Sequence, residues 1–562
     1  MKNHFLNVSK RKDESDLVFP EAAHNADPQE DEEEATAVVC MEADLKDGEM
    51  MEVDVGDHNI LLVKCEGEYS AIGNQCTHYG APLNTGVLSG NRVRCPWHGA
   101  CFNVKTGDME EYPAMDSLRC HKVKVHDKKV YVTVNKKALG QATRLKKMGG
   151  RDPEINHTVI LLGGGCASVI CAEVLRQENY GGRIIMVTRE DILPHDKTRL
   201  SKVMNVQRNS ILLRRMEFYQ KYDIEVWLKK EAVSVDTEKK KVEFKDGTTE
   251  CYDQLLIATG CRAKGLDSPG VELENVLMLE TPEDANRIHN ACIGCRTVLV
   301  GTSFVGMEVA SYMIDKASSI TIIGFSELPY LKTLGPEIGK FTMTILEERG
   351  VKFYMNDSIA EIRGEKGKVK DVVLKSGTIV AADVLVVGIG IVPNSEFLQG
   401  SAIKMDSKKY VIVDKYMRTN AKDVYCCGDL TSFPLQMVKN QNVSVAHWQT
   451  AQAHGRIAAL NMLGKEVTLN TVPFYWTVLL GQTIRYAGYG EGYTQLVMKG
   501  SFEDMKFLAM YIKDGVVVAT AGLNFEPAVS VIAERFAAGI AITKAEAESD
   551  DLSWLKLPPS KE

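Results

Sequence analysis

The sequence predicts a multi-domain protein in which a small all-β domain precedes two α/β nucleotide-binding domains and a C-terminal α+β domain. Three observations support this fold class. The 562 residues exceed what one hydrophobic core usually holds. Residues 38–135 form short apolar runs separated by turn signals, which is typical of a small all-β unit. The order strand, glycine turn, helix, strand occurs twice, about 138 residues apart, and indicates two parallel sheets that bind nucleotides.

Composition and charge exclude several classes of protein. Hydrophobic residues make up 44% and charged residues 25% of the chain, as in soluble globular proteins. No apolar run reaches the ~18 residues of a membrane-spanning helix, so we expect no membrane span. The formal charge of −8 offers no basic surface, so we expect no nucleic-acid partner.

The N-terminal residues 1–37 are expected to form a disordered acidic tail. They hold ten Asp or Glu against four Lys or Arg and few apolar residues. Mitochondrial transit peptides are poor in acidic residues, so the sequence itself favours a cytoplasmic protein. The fourteen cysteines favour the same reducing compartment, because most of them lie in apolar strand or helix patterns.

The all-β unit contains two Cys–His pairs on loops with Gly and Pro, namely Cys76-x-His78 and Cys95-x-x-His98. Two thiolates and two imidazoles suit a [2Fe–2S] cluster, in which one iron takes both cysteines and the other both histidines. A Zn²⁺ site with the same four ligands is the alternative, but its usual spacing pairs Cys with Cys and His with His. The pattern resembles the Rieske ferredoxin domain across residues 38–135.

Residues beside the two loops differ from those of high-potential Rieske proteins. Those members carry a cysteine beside each loop, joined as a disulfide, and hydroxyls that donate hydrogen bonds to cluster sulfur. The matching positions here are Ala81, Trp97, Ala100 and Phe102. The resemblance therefore implies a cluster near the low end of the Rieske range of potentials.

The first glycine turn predicts an FAD site. Gly163 would make the tight turn, Gly165 would let the backbone approach a pyrophosphate, and Ser168 would replace the third glycine. Later segments match the signatures of FAD-containing pyridine-nucleotide oxidoreductases. The residues expected to bind FAD at these segments are Gly163, Gly164, Gly165, Ser168, Glu190 (as a ribose partner), Thr259, Gly260, Gly428 and Asp429.

The second glycine turn predicts an NAD(P)H site. Ser303 takes the position of the middle glycine, where glycine-only backbone angles would cost about 1–3 kcal/mol. Gly324 stands where an acidic ribose partner is usual, and Glu327 is a substitute. No Arg or Lys follows that could bind a 2′-phosphate, so NADH is favoured over NADPH. The predicted contacts are Gly301, Ser303, Gly306, Glu308, Glu327 and Gly390.

These domains, together with "HWQTAQAHGRIAALNMLG" and "YAGYGEGY", resemble the Rieske-containing branch of the apoptosis-inducing factor family. The resemblance covers nearly all of residues 38–555. It implies flavin contacts at Lys202, at the backbone of Val233, and at Trp448, besides Asp429. Lys197 replaces the family's arginine, so a point charge would replace a bidentate phosphate contact. The resemblance also implies mitochondrial association.

The full prediction is an all-β Rieske domain, two α/β Rossmann-like domains and a C-terminal α+β domain. The chain would transfer electrons from NADH through FAD to the cluster and on to an unknown acceptor. We expect no dedicated catalytic side chain. The alternative is a catalytically weakened pro-apoptotic signalling protein with the same fold and cofactors. The predicted segments are a tail 1–37, Rieske domain 38–135, linker 136–155, first FAD part 156–280, NAD(P)H domain 281–395, second FAD part 396–472 and C-terminal domain 473–562.

Two further motifs are assigned no chemistry. Cys292 and Cys295 form a C-x-x-C pattern, but their position just before the second glycine turn does not match a flavin-linked dithiol. His447 and His454 lie seven residues apart on a predicted helix and are interpreted as surface or packing groups.

Overall fold

A computed structural model of the chain describes residues 33–136 and 142–556. Residues 1–32, which make up most of the predicted acidic tail, lie outside the described residues. The first strand begins at Glu34, four residues before the predicted boundary of the β domain.

Two antiparallel sheets build the N-terminal domain. Strands β1, β11, β10, β4, β3 and β2 form one sheet in that order, and β5 to β8 form the other. Buried and partly exposed residues alternate along β11, as expected for a strand with one face on the core. Val130, Val132 and Val134 are buried, and the residues between them are partly exposed. The strands are β1 Glu34–Met41, β2 Glu49–Val55, β3 His58–Cys65, β4 Glu68–Gly73, β5 Val87–Ser89, β6 Arg92–Arg94, β7 Cys101–Asn103, β8 Met109–Glu111, β9 Ser117–Leu118, β10 Cys120–His126 and β11 Lys129–Asn135.

Part of the predicted linker 136–155 extends the β domain. Strand β12 (Thr143–Arg144) pairs antiparallel with β9. Further along, the amide of Gly149 donates to the carbonyl of Arg176 in the next domain. The connection therefore contacts both domains that it joins.

The first nucleotide-binding domain contains a five-stranded parallel sheet of order β15, β14, β13, β19 and β31. Its strands are continuous apolar runs such as "TVILL" and "RIIMV", because both faces of the sheet are covered. Strand β31 comes from the second part of the domain, after the inserted second α/β domain. The elements of the first part are β13 Thr158–Leu162, α1 Cys166–Gln177, β14 Arg183–Val187, α2 Met216–Lys221, β15 Ile224–Trp227, β16 Ala232–Asp236, β17 Lys241–Phe244, β18 Thr249–Cys251, β19 Gln254–Ile257 and β20 Cys261–Ala263.

The inserted domain repeats this architecture with a parallel sheet of order β21, β28, β22, β23 and β24. Its glycine turn joins β22 to α4. The elements are β21 Val276–Met278, α3 Pro282–Cys292, β22 Arg296–Val300, α4 Phe304–Met313, β23 Ser319–Ile323, α5 Gly335–Glu347, β24 Lys352–Tyr354, β25 Ile359–Glu365, β26 Lys368–Leu374, β27 Ile379–Ala381, β28 Val384–Val387 and β29 Ile391–Pro393.

The C-terminal domain is a five-stranded antiparallel sheet, of order β34, β35, β38, β37 and β36, with two helices. It shares a hydrophobic core with the inserted α/β domain, because Leu479 and Tyr486 pack in the same cluster as Met307 and Ile322. The remaining elements are β30 Val411–Ile412, β31 Val424–Cys426, β32 Thr431–Leu435, β33 Gln441–Val443, α6 Trp448–Met462, β34 Phe474–Leu479, β35 Gln482–Gly488, β36 Gln495–Ser501, β37 Lys506–Lys513, β38 Val516–Leu523, α7 Ala528–Ala537 and α8 Lys544–Glu548.

The predicted fold class is confirmed by this arrangement of one all-β, two α/β and one α+β domain. Within residues 33–136 and 142–556, no helix is both long and apolar enough to cross a membrane.

Candidate functional site

The four predicted cluster ligands lie on two loops of the β domain and are all buried. Cys76 and His78 follow β4, and Cys95 and His98 connect β6 to β7. The thiols of the two cysteines are close enough to interact directly. The Nδ1 atoms of the two histidines are 3.2 Å apart. The ligands thus form a sulfur pair and a nitrogen pair.

This pairing fits a binuclear cluster. In a [2Fe–2S] centre with mixed ligands, one iron takes two thiolates and the other takes two imidazoles. Within the described residues, no group of three or more His, Cys, Asp or Glu side chains is placed to hold one metal ion. The soft thiolates and neutral imidazoles of the two pairs are suitable donors for iron.

Each ligand loop is closed by hydrogen bonds of its own backbone. The amide of Cys76 donates to the carbonyl of Ala81 over 2.9 Å, and that of Cys95 donates to Ala100 over 2.8 Å. Both alanines are fully buried, so the positions beside the ligands are packed with apolar groups. These loop positions bring no side-chain hydroxyl to the ligands.

The cluster loops face the rest of the chain. The ring of Trp476, on β34 of the C-terminal domain, has its centroid 4.3 Å from the ring of His98 and 5.6 Å from that of His78. Tyr79 stacks on His78 with centroids 3.8 Å apart. Its hydroxyl lies 3.1 Å from Oδ2 of Asp196 in the first nucleotide-binding domain. The cluster end of the β domain is therefore docked against two other domains.

A buried ion pair holds this contact. Arg94, whose side chain is fully buried, donates from Nε to Oε1 of Glu534 on α7 over 2.5 Å. Its Nη2 donates to Glu111 over 2.9 Å and its Nη1 to the carbonyl of Gly99 over 2.9 Å. Burial raises the pKa of Glu534, but Arg94 and Arg92 outweigh it and hold that pKa below its usual range. The carboxylate is charged where the two domains meet.

Three further side-chain hydrogen bonds join the β domain to its neighbours, two of them at the second ligand loop. Ser530 donates from its hydroxyl to the carbonyl of Cys95 over 3.0 Å. Arg485 donates from Nε to the carbonyl of Trp97 over 2.7 Å. On the other side, Arg214 of the first nucleotide-binding domain donates to Asp116 over 2.6 Å. The second ligand loop is thus held mainly by the C-terminal domain.

The first glycine turn has the geometry that a pyrophosphate site needs. Gly163 has φ +118°, and a Cβ there would lie 2.0 Å from the carbonyl oxygen of Ala258. Gly165 caps α1, and no atom lies within 4 Å of the position its Cβ would take. Ser168 is buried in the first turns of that helix. The open space at the helix N-terminus fits the approach of a phosphate.

The Gly428–Asp429 turn lies near that helix. The amide of Gly428 donates to Nδ1 of buried His454 over 3.1 Å, so this neutral imidazole fixes the turn. Burial lowers the pKa of His454 to about 3. Burial also raises the pKa of Asp429 to about 6, against the opposing charge of Lys197. No side-chain hydrogen bond from Asp429 to another described residue is present, which fits a carboxyl that binds a ligand hydroxyl.

Other residues predicted to bind FAD have partners within the chain. Lys197, the predicted phosphate contact, donates from Nζ to Oε1 of Glu190 over 2.6 Å. Glu190, the predicted ribose partner, is thus held by an ion pair within the chain. Thr259 donates to the carbonyl of Asn394 over 2.7 Å. Four predicted positions remain. Gly260 is open and has a positive φ, and Gly164 is half-buried, with a Cβ position 2.8 Å from Thr188. Val233 on β16 is 40% exposed, and Trp448 at the start of α6 is half-buried.

Lys202 and Glu308 were predicted for different nucleotides, and the structure brings them together. Nζ of Lys202 lies 3.1 Å from Oε2 of Glu308, which is almost fully buried. The same carboxylate accepts hydrogen bonds from Ser201 and, over 2.8 Å, from Thr477 of the C-terminal domain. Glu308 therefore joins three domains, and its carboxylate is engaged by residues of the two neighbouring domains.

The second glycine turn matches the first. Gly301 has φ +114°, and a Cβ there would lie 1.9 Å from the carbonyl oxygen of Gly388. Gly306 could not carry a Cβ either, because it would lie 2.1 Å from the carbonyl oxygen of Gly301. Ser303 caps α4 with φ −101°, which any residue can adopt. The strain that a glycine-only conformation would impose on Ser303 is absent.

The end of β23 differs from the usual nucleotide site. Gly324 is buried, and a Cβ there would lie 2.6 Å from the side chain of Met355 and 2.7 Å from that of Thr302, so these two side chains occupy the space beside the strand end. Glu327 is exposed three residues further on. Gly390 has φ +123° with no atom within 4 Å of its Cβ position.

Sequence reasoning missed Trp476 and underestimated His454. His454 was interpreted as a packing or surface group, and it is buried while it also fixes the predicted FAD turn. Its position seven residues after His447, on the inner face of α6, was the available signal. Trp476 had no local signal, because its role depends on a domain contact.

The comparisons agree with this geometry. Three family models match: the Rieske [2Fe-2S] domain over 35–122, the pyridine nucleotide-disulphide oxidoreductase family over 157–455 and the reductase C-terminal domain over 474–556. Human apoptosis-inducing factor 3 is 45% identical over 531 residues, covering 92% of this chain and 88% of that protein. Rubredoxin-NAD(+) reductase of Pseudomonas putida is 30% identical over 370 residues, covering 65% and 95%.

A solved structure agrees as well. The ferredoxin reductase for the CYP199A2 system from Rhodopseudomonas palustris is 26% identical with a TM-score of 0.69, covering 72% of this chain and all of that one. The cluster ligands, the two glycine turns and these likenesses together establish the class of protein. The chain is an NAD(P)H-dependent flavin oxidoreductase with a Rieske centre, and it belongs to the Rieske-containing apoptosis-inducing factor 3 branch of the pyridine nucleotide-disulphide oxidoreductase family.

Proposed function

We propose that this protein transfers electrons from NADH, through FAD, to the [2Fe–2S] centre of its own Rieske domain. The observation that carries the proposal is the docked position of the ligand loops. His78 and His98 face Trp476 of the C-terminal domain, and Tyr79 bonds Asp196 beside the predicted FAD contacts. Electron transfer between FAD and the centre would then need no second protein.

The chain's own residues bind and orient the cofactors. Cys76 and Cys95 would hold one iron, and His78 and His98 the other. The two glycine turns would receive the pyrophosphates, and Asp429 would accept a hydrogen bond from FAD. When bound, FAD supplies the conversion between two-electron and one-electron chemistry. No side chain has to act as a general acid or base.

NADH is the proposed donor. A 2′-phosphate needs a cation near the end of β23, and Glu327 places a negative charge in that segment instead. Ser303 has an ordinary backbone conformation, so the chain pays no strain for losing the middle glycine.

The final acceptor is proposed to be a protein or small molecule outside the chain. Relatives are named as reductases of rubredoxin and of the ferredoxin of a dioxygenase system. In this chain the attached Rieske domain would fill the acceptor position of such a reductase. The external acceptor would then take electrons from the Rieske centre.

The test is an anaerobic titration of purified holoprotein with NADH. Bleaching of the flavin band, followed by the electron paramagnetic resonance signal of a reduced Rieske centre, is the expected result. The variant Cys76→Ser should bleach equally while losing the Rieske signal. A flavin that stays oxidised at millimolar NADH would contradict the proposal.

A second candidate function is apoptotic signalling with reduced catalysis. It is supported by the name of the 45% identical human relative and by the loss of an acidic residue at Gly324. Mitochondrial association belongs to the same hypothesis. Expression of the wild type and Cys76→Ser in cells distinguishes the candidates, because a signalling role alone predicts equal cell death with both.

A further inference from the structure

Phe325 is unusually exposed. Of its surface 85% is accessible, against 57% for Ile379, the next most exposed large hydrophobic side chain among the described residues. It lies two residues after the end of β23, at the carboxyl edge of the parallel sheet in the NAD(P)H domain. The adjoining glycine turn is in direct contact with this strand end, because the amide of Gly301 donates to the carbonyl of Ile323 over 2.9 Å.

This strand end is where a dinucleotide's adenosine would lie. In parallel α/β sheets the ligand binds outside the carboxyl ends of the strands, and a carboxylate after the second strand holds the ribose. At Gly324 the space for such a side chain is filled by Met355 and Thr302. Gly324 itself has no side chain that could make the ordinary ribose contact, and Phe325 is the next residue along the chain.

The backbone beneath Phe325 is fixed on both sides. The amide of Gly324 donates to Tyr354 over 2.9 Å, and the carbonyl of Gly324 accepts from Asp357 over 3.0 Å. The carbonyl of Ser326 accepts from Asn356 over 3.1 Å. A firmly held backbone thus presents an aromatic ring to solvent, an arrangement that favours a ligand with a flat face.

We propose that Phe325 binds the adenine base of NADH by stacking and replaces the missing carboxylate as the adenosine contact. The inference rests on the proposed use of NADH. Stacking of a base on an aromatic side chain is worth about 1–3 kcal/mol by alanine substitution, which is roughly 5- to 150-fold in affinity. A single ring can therefore compensate for the lost ribose contact.

The first test measures binding of ADP-ribose to the oxidised holoprotein by calorimetry. Phe325→Ala should weaken binding roughly 5- to 150-fold, and Phe325→Trp should restore it. Ile379→Ala, which shortens another exposed side chain of the same domain, should leave binding unchanged. Equal affinity in the wild type and Phe325→Ala would overturn the inference.

The second test separates this inference from the proposed function. Reduced nicotinamide mononucleotide carries the hydride but no adenosine. Phe325→Ala should raise KM for NADH while leaving kcat, and leaving KM for the mononucleotide, unchanged. Equal loss with both donors would overturn the adenine contact. If neither donor reduces wild-type flavin, the proposed function fails, whereas the binding test of Phe325 still decides the stacking.

Discussion

Replacing Glu534 by alanine tests what holds the Rieske domain against the C-terminal domain. Its carboxylate accepts a 2.5 Å hydrogen bond from Arg94, and the side chains of the two residues are 5% and 0% exposed. Removing one partner of a buried ion pair costs about 3–5 kcal/mol. In the variant, Arg94 keeps its hydrogen bonds to Glu111 and to the carbonyl of Gly99. We therefore take the lower limit of about 3 kcal/mol, which is about 150-fold in the equilibrium between the docked and undocked domains.

Hydrogen exchange at the interface measures this effect. Amides of residues 95–102 that exchange through undocking should lose protection by up to about 150-fold in Glu534→Ala. Glu534→Gln, which keeps an accepting oxygen, should lose less. Glu503→Gln, on the exposed face of the same domain, is the matched control. Protection within about twofold of wild type in Glu534→Ala would refute the assigned role of the ion pair.

The same pair gives the interface a pH dependence. Although burial opposes ionisation, Arg94 and Arg92 hold the pKa of Glu534 below its usual value in the folded protein. A carboxyl with a lowered folded-state pKa contributes stability above its unfolded pKa, about 4.3, and loses that contribution as pH falls further. The difference in protection between the wild type and Glu534→Gln should therefore shrink below about pH 4.

Three further predictions follow from individual residues. Trp476→Ala should slow reduction of the Rieske centre by NADH, whereas the flavin should bleach at the wild-type rate. Trp476→Phe should retain most of the electron transfer. Equal slowing of flavin bleaching and Rieske reduction in stopped-flow absorbance would contradict this prediction. Ser303→Gly should change the free energy of unfolding by only a few tenths of a kcal/mol, because Ser303 is an unstrained helix cap. A variant more stable than the wild type by more than about 1 kcal/mol in denaturant melts would reveal backbone strain at Ser303. In the apoprotein, burial raises the pKa of Asp429 to about 6, so the folded protein should lose stability as pH rises from about 4 to 6. Asp429→Asn should abolish that pH dependence in thermal melts. The same pH dependence in the variant and the wild type would contradict the prediction.

Local patterns were predictable from the sequence. Cys76-x-His78 and Cys95-x-x-His98 are closed by short-range backbone hydrogen bonds, so their spacing alone predicts paired ligands. The glycine turns at Gly163 and Gly301 were predictable for a similar local reason. Each of these residues has a positive φ and a carbonyl oxygen close to its Cβ position, so only glycine fits there. These motifs could therefore be predicted without any knowledge of the tertiary structure.

Contacts between distant segments were not predictable. Arg94 and Glu534 are 440 positions apart, and Trp476 reaches the ligand histidines through domain packing. Backbone angles are equally hidden, since the sequence could not show that Ser303 has an unstrained φ. The paired Lys202 and Glu308 belong to two domains, so their ion pair emerges only when the domains meet.

Stopped-flow mixing of the oxidised holoprotein with excess NADH, without oxygen, tests the central claim most directly. The time course of Rieske reduction is followed at several protein concentrations. Because the ligand histidines are docked inside the same chain, we predict a first-order rate constant that does not change with protein concentration. A rate that rises in proportion to protein concentration, or a centre that stays oxidised behind a fully bleached flavin, would contradict electron transfer within the chain.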